Sequence, residues 1–197
     1  MKNLANFLFE VGMLKRTPRS GFQFLGSGDE SVAEHSFRTA MTGYCLASQV
    51  PGVNQDRVLK LCLFHDLPEA RTGDLNYVNK KYVSVDEARA VDDLAKTVPF
   101  GDEYRLLLAE FVANETLEAQ VAHDADQLEM ILALKEYYDL GNRNAAEWYP
   151  FSVKRLQTEA AKELAERIWS TDSSRWWFEN EPAEWWVNGR VDGADKK

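Results

Sequence analysis

Apolar residues recur three and four positions apart along nearly the whole chain, which is the spacing of one face of an α-helix. Alternating, strand-like runs of useful length are absent, so the pattern predicts an all-α protein. The first predicted helix carries apolar positions from Leu4 to Leu14 and ends before the break at Pro18. Six further helices are predicted, over about 31–50, 54–73, 84–98, 102–114, 117–140 and 152–169.

Several predicted helix ends carry recognisable signals. Ser31 and Ser84 are each followed three residues later by a glutamate, which is the capping-box pattern of a helix start. A start at Ser31 puts His35 in the first turn of the second helix. Gly73 is predicted to end the third helix, with Asp74 just beyond it.

Size and charge narrow the class of partner. The chain has 197 residues, of which 45% are hydrophobic and 28% charged, values typical of a single globular domain. The net charge of -9 argues against a nucleic-acid polymer or an anionic membrane as partner. A small anionic substrate stays compatible, because a metal ion and a few local cations can reverse the field inside one pocket.

The expected location is the cytoplasm. The N-terminus lacks the apolar stretch of a signal peptide, and no window approaches the ~20 apolar residues of a spanning helix. Cys45 and Cys62 lie in apolar helical runs and are predicted to be buried free thiols, as suits a reducing compartment.

Aromatic residues are concentrated near the C-terminus. Four of the six tryptophans lie within residues 176–186. The favoured interpretation is a tail, residues 171–197, that packs on the domain or at a subunit interface; the alternative is a wall of the active site or a docking patch. Upstream, Trp148 is interpreted as part of a packed helix start, with a base-stacking lip as the alternative.

The most informative feature is the pair His65 and Asp66 in the run FHDLPEARTGD. Imidazole and carboxylate both bind divalent metal ions, and neither is buried cheaply without a partner. His35 opens a second apolar helix, and Asp126 lies on a third. Two histidines and two aspartates from three helices can form one metal site.

Other residues compete for these roles. Asp124 and Asp126 are two positions apart on a helix and point about 200° apart, so only one of them is expected to face inward. His123, in a polar setting, is expected on an outer helix face. Glu69, one turn beyond the histidine–aspartate pair, either faces the same site or forms an ion pair with an arginine such as Arg71.

Nitrogen and oxygen donors together suit Mn, Fe, Co, Ni or Zn better than Ca, which prefers oxygen ligands. The expected cofactor is therefore one divalent transition metal ion. Four protein ligands in an octahedral site would leave two positions, one for a phosphate oxygen and one for water.

Four sequence blocks carry a resemblance to a known family: LKRTPRSG at 14–21, ESVAEH at 30–35, HDxxExxxGD at 65–74 and DQLEM at 126–130. They are similar to the HD-domain superfamily of metal-dependent phosphohydrolases, and in particular to its small 5′-deoxynucleotidase branch. The resemblance implies an all-α fold: a single HD-domain bundle of about six to eight helices around a metal site, over residues 1–170. It also implies a homodimer.

The resemblance assigns four residues to the metal: His35, His65, Asp66 and Asp126. It favours Asp126 over Asp124, because Asp126 lies in the matching block. It assigns Glu69 to catalysis, as the acid or base near the attacking water or the leaving oxygen.

The same resemblance implies the substrate contacts. Arg16 would hold the phosphate, with Lys15 and Arg19 as further candidates, and Asp74 would accept hydrogen bonds from sugar hydroxyls. Thr17 departs from the pattern, because the bacterial deoxynucleotidases have there an aromatic residue that favours deoxyribose.

The predicted function is removal of the 5′-phosphate from nucleoside, in particular deoxynucleoside, monophosphates by metal-activated water. One alternative keeps the site but acts on another small phosphate ester or a cyclic nucleotide. Another is a non-catalytic nucleotide-binding or metal-binding module. The presence of Glu69 beside all four metal residues favours the enzyme.

Overall fold

The computed structural model describes residues 2–179 and 183–189. Within these residues there is no β-strand, only an isolated bridge between Pro18 and Ser31, so the all-α prediction is confirmed. Two short 3₁₀-helices cover Gly12–Arg16 and Asn79–Lys81. The α-helices are α1 (Lys2–Val11), α2 (Phe22–Leu25), α3 (Val32–Ala47), α4 (Gln55–Phe64), α5 (Glu69–Thr72), α6 (Glu87–Ala95), α7 (Gly101–Ala113), α8 (Leu117–Asp139), α9 (Asn144–Val153), α10 (Glu159–Ser170) and α11 (Ala183–Asn188).

The start of α3 follows its sequence signal. The backbone N–H of Glu34 donates to Ser31 Oγ at 3.2 Å, and the backbone N–H of Ser31 donates to Glu34 Oε2 at 2.7 Å. This is the predicted capping box. The second predicted capping box is wrong, because α6 is capped by Asp86, which accepts from the backbone N–H of Arg89 at 3.0 Å.

The prediction of one continuous third helix is wrong in a way that matters for the site. α4 ends at Phe64, His65 and Asp66 lie in the turn that follows, and Glu69 opens α5. Pro68 has no backbone N–H to donate to the ladder, and the turn is closed instead by bonds between residues three apart. The histidine and the aspartate are therefore presented by a tight turn.

The predicted seventh helix, over about 152–169, begins too early, because residues 154–158 form a loop and α10 starts only after it. The helix before that loop, α9, was not predicted. Thr158 begins α10 as its N-cap and accepts from the backbone N–H of Ala161 at 3.2 Å. Both α9 and α10 pack against α8.

The longest helix, α8, lies at the centre of the bundle. It packs against α3, α4, α7, α9 and α10, and its buried residues are on every side of the helix. The core around it contains fully buried Leu61, Val121, Leu128 and Ile131. Each such side chain contributes roughly 2 kcal/mol by leaving water, so the helices that supply the site are held firmly together.

The division into residues 1–170 and a tail at 171–197 stays a prediction. The backbone N–H of Ser173 donates to Asp139 Oδ2 of α8 at 2.8 Å. Farther on, the rings of Phe178 and Trp186 stack with centroids 4.9 Å apart, and Trp177 meets Trp186 edge-on at 5.2 Å. Residues 180–182 and 190–197 of the predicted tail lie outside the described residues.

Cys62 is buried as predicted, whereas Cys45 is exposed, because it falls on the outer side of α3. Both thiols are free. None of the helices in the described part of the chain is long and apolar enough to cross a membrane.

Candidate metal centre and active site

Four side chains from three parts of the fold converge at one point: His35 from the first turn of α3, His65 and Asp66 from the turn after α4, and Asp126 from the middle of α8. His35 Nε2 lies 3.1 Å from Asp126 Oδ1 and 3.3 Å from Asp66 Oδ2, and His65 Nε2 lies 3.3 Å from the same Asp66 oxygen. The ligand atoms of His35, His65 and Asp126 all lie within 4.8 Å of one another. The structure thus brings together all four predicted metal residues.

The other nitrogen of each ring fixes its tautomer. His65 Nδ1 lies 2.8 Å from the carbonyl oxygen of Cys62, which can only accept, so Nδ1 carries the proton. His35 Nδ1 lies 2.5 Å from Glu129 Oε2, again an acceptor. Both rings therefore turn an Nε2 lone pair toward the aspartates, as metal ligands require.

The electrostatic environment of the site favours positively charged groups next to ionised aspartates. Burial alone would lower the pKa of His35, but hydrogen bonds to its carboxylate neighbours hold that pKa well above its usual value. The pKa of His65 is raised in the same way, against burial, by Asp66. Burial alone would raise the pKa of Asp126, but His35 and His65 hold it well below its usual value. The site thus favours positive charge.

Two of the ligand atoms are left without partners. His65 Nε2 and Asp66 Oδ2 are buried and have no hydrogen-bond partner among the residues that the structure describes. Buried polar atoms of native proteins are normally satisfied, and a cation bound between these two atoms, which lie 3.3 Å apart, would satisfy both. The donor set and these two atoms fit a divalent transition metal ion.

Glu69 lies beside this cluster at the start of α5. Its Oε2 atom is buried without a hydrogen-bond partner within the described residues. Burial and the negative charges of Asp66 and Asp74 raise the pKa of Glu69 to about 9. Arg71, the ion-pair alternative, instead binds Glu10 with two of its guanidinium nitrogens.

A cavity of about 470 Å³ opens at the centre, a size typical of small-molecule sites. Its polar end is formed by Arg19, Asp66, Glu69, Asp74 and Asp126. Five aromatic side chains also line the cavity: Phe22, Phe24, Tyr77, Trp148 and Phe151. Such a cavity can take a phosphate at one end and a flat ring at the other.

Of the three predicted substrate-binding residues, Asp74 lines the cavity, whereas Arg16 and Thr17 do not. Asp74 lines the cavity, where its Oδ2 accepts from the backbone N–H of Ser20 at 2.6 Å. Arg16 is exposed at the end of a 3₁₀-helix, and neither it nor Thr17 lines the cavity. Arg19 does line it, with a guanidinium nitrogen 3.6 Å from Asp66 Oδ2.

The HD domain family matches residues 11–169 of the chain. The chain belongs to the HD-domain family. It is 34% identical to the 5′-deoxynucleotidase HDDC2 of Bos taurus over 148 residues, which are 72% of this chain and 71% of that protein. It is 32% identical to the protein of the same name in Mus musculus, over 71% of this chain and 72% of that one. A conserved hypothetical protein of Pyrococcus furiosus has a similar solved structure, with a TM-score of 0.73, 32% identity, and coverage of 83% of this chain and 98% of its own.

In this HD domain, Asp124 has a different task from Asp126. Asp124 is fully buried and accepts from the backbone N–H groups of Gln157 and Thr158 at 2.7 and 2.8 Å. The expectation that only one aspartate faces inward is wrong, because α8 is covered on all sides. His123 is half-buried and stacked on Phe111, with ring centroids 3.9 Å apart.

Sequence reasoning missed or ranked low two groups of residues around the HD-domain site. The aromatic residues that line the cavity come from α2, α9 and the loop before α6, and no local pattern links these segments. Trp148 was interpreted as part of a packed helix start, with a base-stacking lip as the alternative. Glu129 was noted merely as part of a motif, although an acidic residue three positions after Asp126 on a buried helix was a usable signal.

Proposed function

We propose that this protein is a metal-dependent phosphohydrolase that removes the 5′-phosphate from nucleoside, in particular deoxynucleoside, monophosphates. The observation that carries the proposal is the convergence of His35, His65, Asp66 and Asp126 at the polar end of a nucleotide-sized cavity. The names of the Bos taurus and Mus musculus relatives support deoxynucleotides as the substrate class.

The four converging residues hold one divalent transition metal ion, of the group Mn, Fe, Co, Ni and Zn. A bound ion of this kind supplies neutralisation of phosphate charge and activation of the attacking water. His35 and His65 are oriented for this by their Nδ1 hydrogen bonds, and Asp66 and Asp126 supply the negative charge.

Arg19 binds the phosphate in this proposal, in place of Arg16. Its side chain is only 13% exposed, and its Nε is buried with no partner within the described residues. The carboxylates around it hold the pKa of Arg19 above its usual value against the effect of burial, so its charge is permanent. A guanidinium can donate two parallel hydrogen bonds to one phosphate.

Glu69 provides the proton that the departing 5′-oxygen needs. Burial and the nearby carboxylates of Asp66 and Asp74 raise the pKa of Glu69 to about 9, which favours a protonated side chain as the proton donor. Transfer of that proton to the 5′-oxygen, as the bond between phosphorus and that oxygen breaks, releases a neutral nucleoside alcohol. The phosphorus atom receives the oxygen of water on the opposite side.

The walls of the cavity position the nucleoside. The base and sugar pack against Phe22, Phe24 and Trp148, which replace the stacking that Thr17 cannot provide. Asp74 has one oxygen engaged by Ser20, and its other oxygen accepts from a sugar hydroxyl.

The proposal includes a homodimer located in the cytoplasm, as the family resemblance implies. Light scattering of the purified protein measures directly whether it is a homodimer.

The test is phosphate release from 5′- and 3′-monophosphates of deoxynucleosides and ribonucleosides, after metal is stripped and Mn, Co, Zn or Mg is added back singly. We expect metal-restored release from 5′-monophosphates only. Glu69→Gln should lower kcat about 10²–10⁴-fold while metal affinity stays near wild type, because Glu69 acts on the proton and is not a ligand.

The matched control is Glu103→Gln, an exposed glutamate paired with Lys60 on another face, which should retain full activity. Absence of phosphate release with every metal, or undiminished turnover in Glu69→Gln, contradicts the proposal.

A further inference from the structure

Glu129 is a fully buried carboxylate that no step of the proposed reaction uses. It lies on α8, one helical turn beyond Asp126. Its Oε2 lies 2.5 Å from His35 Nδ1, and its Oε1 accepts from Arg38 Nε at 2.9 Å. An ionised carboxylate is costly to bury, so a protein retains one where its charge is used.

Glu129 contacts one arginine, Arg38, through Oε1, and its Oε2 faces the ring of His35. Arg38 lies between Glu129 and the solvent-facing Glu136, to which it donates at 2.8 Å. Arg38 also approaches Glu129 through its second guanidinium nitrogen, Nη2, which lies 2.7 Å from Glu129 Oε1. Glu129 is therefore the carboxylate that lies between the ring of His35 and a bound arginine.

We propose that Glu129 is a positioning residue of the metal centre: it fixes His35 in the tautomer with the proton on Nδ1 and strengthens Nε2 as a metal ligand, and Arg38 holds Glu129 in place. The inference rests on the proposed metal site. A carboxylate that accepts from the far nitrogen of a ligating histidine orients the ring and makes it a stronger donor.

The two histidines of the site differ in this respect. His65 Nδ1 donates to a neutral carbonyl, that of Cys62, whereas His35 Nδ1 donates to a buried carboxylate with its own arginine. His35 is therefore the proposed ligand whose donor strength depends on a neighbouring side chain, Glu129. Removal of Glu129 is expected to change metal affinity through its effect on His35.

The experiment measures the affinity of metal-stripped protein for Zn²⁺ by calorimetry. Glu129→Gln keeps the size of the side chain and removes its charge, and we expect a 10- to 100-fold loss of affinity, about the usual effect of removing such a partner. The matched control is Glu136→Gln, which removes another carboxylate from the same Arg38 without touching His35, and whose affinity should remain close to wild type.

A double-mutant cycle separates positioning from a general structural role. In the His35→Ala background, Glu129→Gln should cause no further loss of Zn²⁺ affinity, because the ring through which it acts is gone. A full loss in that background, or wild-type affinity in the single variant, overturns the inference. Wild-type protein that binds no Zn²⁺ overturns the metal site itself, which is a different result.

A measurement on the wild-type protein covers the case in which Glu129→Gln does not fold. The chain has three histidines, so nitrogen NMR of Zn²⁺-loaded, histidine-labelled protein can resolve each ring. We expect a proton on Nδ1 of His35 and a metal-shifted Nε2. An unprotonated Nδ1 on His35 overturns the inference without any variant.

Discussion

Arg16 and Arg19 lie three positions apart and differ in what surrounds them. Arg16 ends a 3₁₀-helix and points into solvent. Arg19 follows the bridge between Pro18 and Ser31, where its backbone N–H donates to the carbonyl oxygen of Glu30 at 2.8 Å. This pairing holds the segment against the start of α3 and directs Arg19 into the cavity. At the scale of the residue, position and not residue type decides which arginine lines the cavity.

Arg19→Ala should lower kcat/KM for a nucleoside 5′-monophosphate about 100-fold, because up to about 3 kcal/mol is lost with a charge-assisted contact. Arg16→Ala should stay within about twofold of wild type, as expected of an exposed side chain. Arg19→Lys should recover part of the loss, since it restores charge without the planar fork. Steady-state kinetics measures kcat/KM for the three variants. A larger defect in Arg16→Ala than in Arg19→Ala would assign phosphate binding to Arg16.

At the scale of the element, α8 supplies both a proposed metal ligand and a structural anchor within three residues. Asp126 turns toward His35, and Asp124 accepts three hydrogen bonds from the loop that leads into α10. Both are possible because α8 is enclosed by other helices. One face of the helix builds the site, and the opposite face holds α10 in place.

The two aspartates form a matched pair of variants. Asp124→Asn puts an amide donor against backbone donors and should lower the free energy of unfolding by about 1–3 kcal/mol, with metal affinity unchanged. Asp126→Asn should abolish tight metal binding with a much smaller effect on the metal-free protein. Chemical denaturation and Zn²⁺ titration of both variants measure the two effects. Equal effects of the two substitutions on metal binding would contradict this division of roles.

At the scale of the whole molecule, the metal residues tie together elements that are distant in sequence. α3, the turn after α4, and α8 each contribute, and α3 and α4 both pack on α8. Without a cation, carboxylates of an acidic chain with net charge -9 face one another across the junction. A dication bound by the four proposed ligands would therefore link these three parts of the fold.

Metal should stabilise the entire domain. At a free metal concentration 100 times its Kd, the free energy of unfolding should rise by about 2.7 kcal/mol, which corresponds to roughly 5–10 °C in Tm. The raised pKa values of His35 and His65 mean that protons compete with metal, so the shift should shrink as pH falls from 8 to 6. Scanning calorimetry with metal and with a chelator measures this shift in Tm. The Asp126→Asn variant is the control and should show no shift; a shift equal to that of wild type there would place the stabilising metal elsewhere.

Local sequence signals predicted the features that depend on neighbouring residues. The capping box at Ser31 was correct because its two hydrogen bonds join residues three apart. Helices α7 and α8 were predicted within about a residue at each end for the same reason. The breaks around His65 and after α9 were missed, since the apolar spacing continues across them and the turn is decided by packing and by Pro68.

The sequence by itself determined the helical class, the HD-domain family and the choice of the four residues proposed to bind metal, because these depend on periodicity and on short runs of chemically distinctive residues. Only the tertiary structure decided which arginine enters the cavity, why both aspartates of α8 are buried, and which aromatic rings form the wall. It also revealed Glu129 behind His35, a contact between residues 94 positions apart. Such contacts depend on how helices pack, and no local pattern in the chain records that packing.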